Sequence, residues 1–127
     1  MLRGVWDGEG SVTATELVPD DPVVLELRAI CPRVRRVEEA GVVYYELPGL
    51  ILGNGATPNR CDALLRLTGG DGYASRLFLA QQVAGPRPVN WNGNAFILQR
   101  KWFAFSWNVS KGVSPLQVLT AHMGALR

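Results

Sequence analysis

The side chains able to do chemistry are few in this chain: two cysteines, Cys31 and Cys61, one histidine, His122, and a loop dense in asparagine. The cysteines lie far apart and lack a Cys-x-x-Cys spacing. Together with His122 they form no recognisable metal set, so no metal or other cofactor is expected. Free cysteine packs as a small hydrophobe, which favours two buried thiols over a structural disulfide. His122 stands beside, and not on, the apolar stripe made by Leu116, Leu119, Met123 and Leu126. With no nearby Cys, Asp or Glu it reads as a structural or solvated histidine. Gly53-Asn54-Gly55 lacks the spacing and the following helix of a phosphate cradle. Arg33, Arg35 and Arg36 read as a solvated strand face.

The densest stretch is Pro86-Arg87-Pro88-Val89-Asn90-Trp91-Asn92-Gly93-Asn94-Ala95-Phe96-Ile97-Leu98, followed by Trp102-Phe103-Ala104-Phe105-Ser106-Trp107. It joins a turn-rich loop to an apolar segment too long for a surface loop. Three of the four tryptophans and three of the four phenylalanines fall between Trp91 and Trp107. Aromatic rings are the largest apolar contribution available to a small domain, so the fold is expected to close here.

The remaining elements have to position that stretch. With 127 residues, 47% apolar and 19% charged, the chain is one globular domain with a real core. A net charge of +2 gives no broad basic face for nucleic acid. No apolar run is long enough for a membrane span and no signal-peptide core is present, so a cytoplasmic protein without a membrane partner is expected. Residues 1–19 read as an N-terminal arm, and residues 20–127 as the domain. Asp20-Asp21-Pro22 starts a helix that runs through Ile30 and stops before Pro32. Residues 33–38 and 42–47 read as a hairpin about Glu39-Ala40-Gly41. Residues 48–59 read as a loop, residues 61–67 as a third strand, and residues 75–83 as a fourth. Ser114-Pro115 opens a closing helix. The order predicts an α+β fold with helices packed on an antiparallel sheet.

Several segments carry a family likeness when taken in order. Leu47-Pro48-Gly49 precedes the strand Asp62-Ala63-Leu64-Leu65-Arg66-Leu67. Gly72-Tyr73 resembles the start of a "GYP" turn, with Ala74 in place of proline. Pro86-Arg87-Pro88-Val89-Asn90 takes the place of an "HPN" loop, and Asn92-Gly93-Asn94-Ala95-Phe96 resembles an "NGNIC" segment. Residues 102–108 resemble a tryptophan-rich "W..WSRH" segment, and residues 114–126 the helix that closes it. From about residue 21 to residue 126 the chain resembles the ubiquitin-conjugating (UBC) superfamily. The likeness is greatest to a divergent bacterial branch found beside ubiquitin-like proteins and their activating enzymes.

The resemblance implies a UBC-like α+β fold: an N-terminal helix, a four-stranded antiparallel meander, an irregular aromatic segment resembling the active site, and a C-terminal helix. It implies a ubiquitin-like protein and its activating enzyme as partners, in a bacterial conjugation pathway with a role in antiviral defence. Laid on that pattern, the nucleophile position falls on Phe96, which has no nucleophilic atom, and the histidines of both the "HPN" and "SRH" motifs are absent. A thioester needs a thiolate and a donor for the oxyanion. Asn90, Asn92, Asn94 and Asn108 are the candidate donors, although asparagine in a turn also serves for its backbone tolerance. The first expectation is therefore a non-catalytic module that binds the ubiquitin-like protein or the activating enzyme, with Tyr73, Trp91 and Trp107 in the contact patch. The alternative is a transferase that forms an oxyester on Ser106 or Ser110, the serines nearest the matching segment. Without the family, the residues give a small α+β domain that binds a ligand in an aromatic cleft.

Overall fold

The computed structural model describes residues 21–69, 71–110 and 112–127. The N-terminal arm assigned to residues 1–19 lies outside them. Helix α1 spans Pro22–Leu27. The Asp21 side chain caps it by accepting from the Val23 amide at 2.7 Å, and Pro22 fills the first turn, where no amide is needed. It ends earlier than Ile30. The Ala29 and Ile30 amides bond three residues back, to Glu26 and Leu27, and this tightens the chain before Pro32.

Strands β1 (Arg35–Glu39) and β2 (Val42–Ile51) form the expected hairpin. Its two-residue turn places Ala40 at φ 53° and Gly41 at φ 80°, the backbone that matches strand twist. β2 runs on through Pro48 and Gly49, where a loop was expected. Leu47 pairs with Ala63 and Leu50 with Cys61, so one extra residue on β2 is absorbed as a bulge. A bulge is where a strand tolerates proline, and the Gly49 amide there donates to the Asp62 carboxylate at 2.8 Å. β3 (Arg60–Arg66) and β4 (Arg76–Leu79) continue the meander.

The expected fold class is overturned at the aromatic segment. It is not irregular: β5 (Gly93–Ile97) and β6 (Arg100–Ala104) form a second hairpin, and β6 joins β4. Among the described residues the result is one antiparallel sheet of six strands, β1-β2-β3-β4-β6-β5, curled into a half-barrel. The described residues add two short helices, α1 and α2 (Pro115–Gly124), and the whole is unlike a UBC-like fold with a four-stranded meander. The physical reason is the turn. Leu98 (φ 54°) and Gln99 (φ 64°) both take left-handed backbone, as a primed two-residue turn requires, with none of the Asn-Gly signal that announces one. Left-handed backbone costs an L-residue about 1–2 kcal/mol, and glycine's extra entropy offsets about 0.5–1 kcal/mol of any relief. Gln99 is exposed, so Gln99→Gly is expected to stabilise the protein by about 0.5 kcal/mol. A higher urea midpoint at unchanged slope would show it.

The sheet has two apolar faces. The outer face sets Leu47, Leu50, Leu65, Leu77, Leu79 and Phe105 against Leu27 of α1 and Leu119 and Met123 of α2. The inner face gathers Leu64, Phe78, Ile97, Trp102 and Ala104, flanked by Tyr44 and Leu98. Among the described residues, none of either helix belongs to this second cluster. β4 is consequently buried on both faces along its whole length. The Glu39 carboxylate, at the end of β1, accepts from the Leu98 amide at 3.1 and 3.2 Å. The two margins of the sheet thus meet side chain to turn. They differ in character: β1 carries Arg35, Arg36, Glu38 and Glu39, whereas β5 has no charge and leaves Phe96 71% exposed.

Candidate functional site

β3 ends in Arg66 and β4 begins with Arg76, and the two residues pair directly across the strands. Both point inward with Leu64 and Phe78, and both are buried. The turn between them returns Asp71 onto the pair. Its carboxylate accepts from Arg66 Nη2 through Oδ1 and from Arg76 Nη1 through Oδ2, each at 2.8 Å. The Arg66 bond, then the Arg76 bond, hold the Asp71 carboxyl far below the usual carboxylate range against the opposing effect of burial. Arg66 also donates to the Tyr73 carbonyl at 3.1 Å.

A hydrogen-bond chain leads outward from Arg76. Its Nη2 donates to the Asn92 side-chain oxygen, and Asn92 Nδ2 donates to the Tyr73 hydroxyl at 2.9 Å. That hydroxyl lies 2.8 Å from Ser106 Oγ, and the Arg76 guanidinium lies 4.3 Å from the centre of the Tyr73 ring. The hydrogen bonds from Ser106 and Asn92 lower the Tyr73 pKa. Asn92 immediately precedes β5 and Ser106 follows β6 by two residues, so the hairpin brings them together. Gly93 permits the approach: a Cβ there would lie 3.0 Å from Arg76 Nη2.

Of the residues expected at the site, the fold therefore unites Tyr73, Asn92 and Ser106. Asn90 contributes its carbonyl, which accepts from the Ser106 amide at 2.7 Å. Asn94 and Phe96 lie exposed on β5, and Asn108 is exposed beyond β6. Trp91 is half-buried, its ring 5.3 Å from that of Phe105 at 71°, and Trp107 also packs on the outer core. Ser110 is exposed at the wall of a cavity of about 230 Å3, lined also by Leu67, Ser75 and Val118. That volume falls short of the roughly 300–1,000 Å3 of small-molecule sites. The cysteines are free and buried, and burial raises both thiol pKa values.

His122 serves neither candidate serine. Its Nε2 lies 2.9 Å from Ser75 Oγ, while Nδ1 is buried without a partner. Burial first, then the Arg76 and Arg66 charges, lower its pKa to about 4. An imidazolium would form there against two guanidiniums, so His122 is a poor general base. Its depressed pKa also fixes a pH dependence. Between about pH 6.5 and 4 the unfolded chain binds the proton and the native one does not, so stability falls as the pH falls. About 2 kcal/mol is expected to be lost by pH 5, and His122→Gln should flatten that slope in urea titrations.

Arg66, Asp71, Arg76 and Ser75 were not legible as site residues. The available signal was two arginines, each at the end of an apolar run (Ala63-Leu64-Leu65 and Leu77-Phe78-Leu79), set on either side of a glycine-rich turn. Among the described residues no cluster of His, Cys, Asp and Glu could hold a metal ion, and no helix is long and apolar enough to cross a membrane. Comparison with family models, with curated proteins and with solved structures finds no match.

Proposed function

We propose that this chain is a docking component of a ubiquitin-like protein conjugation pathway, holding the ubiquitin-like protein or its activating enzyme without carrying it covalently. The six-stranded sheet lends this reading no support. It rests on the order of short motifs from Leu47 to Leu126 and on one observation at the site. Tyr73, Asn92 and Ser106 form a hydrogen-bonded surface cluster that has no thiol and no histidine. Asn92 Nδ2 gives one of its two protons to the Tyr73 hydroxyl, which ties Asn92 to the cluster.

One feature favours a second reading, transfer through an oxyester. Ser106 Oγ lies 2.8 Å from the Tyr73 hydroxyl, and a serine nucleophile needs an adjacent group to take its proton. The test incubates the protein with a ubiquitin-like protein, its activating enzyme and ATP. Docking predicts a complex that survives gel filtration, forms no covalent adduct and is weakened by Tyr73→Ala. A hydroxylamine-labile adduct lost in Ser106→Ala would replace docking with transfer. Absence of both complex and adduct would remove the pathway assignment.

A further inference from the structure

Charge at the head of the half-barrel does not balance. Arg66 and Arg76 supply two positive charges and Asp71 one negative, and no other acidic group of the described residues pairs with either arginine. The surplus cation is nearly dry: the two arginine side chains are 9% and 7% exposed. The Nε atoms of both are buried with no hydrogen-bond partner. Like charges directly opposite on neighbouring strands are unfavourable, and a buried charge is costly unless it is paired and hydrogen-bonded. The surplus charge draws a further anion toward the pair.

Asp71 differs from the arginines in how it is held. Its side chain is 35% exposed, and it sits on the turn beside Gly72, whose φ is 93° and where an added Cβ would meet no atom within 4 Å beyond its chain neighbours. The carboxylate bridges the two guanidiniums, one oxygen to each. That is the arrangement in which an incoming carboxylate would be bound, and arginine favours such forked recognition. Asn92 and the Tyr73 hydroxyl extend the polar surface outward from it.

We infer that the Arg66–Arg76 pair is a carboxylate-binding site in which Asp71 is an internal ligand that a partner's carboxylate displaces. The carboxylate comes from a peptide, either its C-terminus or an acidic side chain. The inference rests on the docking reading for the identity of the partner, and on the arginine geometry alone for the site. The lowered pKa of His122, to which both arginines contribute, reports the same excess of positive charge from the neighbouring side.

The test follows the Nε–H signals of Arg66 and Arg76 by NMR in the full chain. The probes are sodium acetate, N-acetylglycylglycine and N-acetylglutamate amide, with sodium chloride at equal ionic strength as control. Saturable shifts of both signals are expected in the wild type, at least tenfold tighter in Asp71→Asn, where the competitor is gone, and absent with the carboxamide of N-acetylglycylglycine. The tighter of the two peptide probes identifies the source of the carboxylate. Arg76→Gln should abolish the response. Saturation in Asp71→Asn alone would make Asp71 a permanent structural partner and overturn the proposal, as would no saturation in any variant. Should Asp71→Asn not fold, the wild-type titration decides by itself. Probe binding without capture of a ubiquitin-like protein would leave the site standing and remove the pathway reading. Capture without probe binding would do the reverse.

Discussion

Trp102→Ala is expected to lower the stability of the protein by about 3–5 kcal/mol, a large part of what a domain of this size possesses. Trp102 is fully buried at the centre of the inner cluster, among Leu64, Phe78, Ile97 and Ala104. Neither α1 nor α2 can collapse into the space its ring leaves, because no residue of either belongs to that cluster. Two polar contacts fail as well. Trp102 Nε1 donates to the Ile97 carbonyl at 2.9 Å, and the Arg100 guanidinium lies 4.6 Å from the ring centre. Trp102→Phe separates the parts: it keeps most of the ring and strands the Ile97 carbonyl, for about 1–3 kcal/mol. Urea unfolding followed by circular dichroism measures both. A loss under 1 kcal/mol for Trp102→Ala would show that the inner face is not a packed core.

Asp71→Ala should be the most damaging change in the polar part of the molecule. Removing one partner from a buried ion pair costs about 3–5 kcal/mol, because the partner left behind stays buried and charged. Asp71 is partly exposed, so solvent screens the loss and about 3 kcal/mol is the expected figure. Asp71→Asn keeps an acceptor for one arginine and should lose less. The pH dependence identifies the group. The folded carboxyl is held below its unfolded value of about 3.9, so its contribution is intact above that pH and fades only as the pH falls further. His122 acts earlier, from about pH 6.5 downward. The stability of the wild type should therefore fall over two pH ranges, and Asp71→Ala should flatten the lower one, to which Asp62 also contributes.

Local signals with a physical mechanism were readable along the chain. Asp21-Pro22 and Ser114-Pro115 start helices where a cap and a first-turn proline require it. The capping box of α2, Ser114 with Gln117, reinforces the second start. The first hairpin was legible because Ala40-Gly41 interrupts two strand-like runs. The second was not, because Leu98 and Gln99 occupy left-handed backbone that neither side chain advertises. Packing of Ile97, Trp102 and Ala104 on the inner face outweighs the turn's local cost. From that one unread turn the strand count and the fold class both went astray. The site was half legible for the same reason. Tyr73, Asn92 and Ser106 are identifiable from their residue types and motif positions, but their convergence depends on the hairpin, and the arginines beneath them on a cross-strand register that spacing alone does not give.

The unequal margins of the sheet set a limit on how copies of this chain can associate. A filament grown strand upon strand needs two adhesive edges per molecule, one to receive and one to offer. Among the described residues the β1 margin is guarded by Arg35, Arg36 and Glu38, while the β5 margin is neutral, carries the exposed Phe96 and has no strand paired beyond it. Addition at β5 leaves a second copy's own guarded margin facing outward. Edge-to-edge growth is therefore self-terminating: such contact stops at a pair and does not propagate into a fibre.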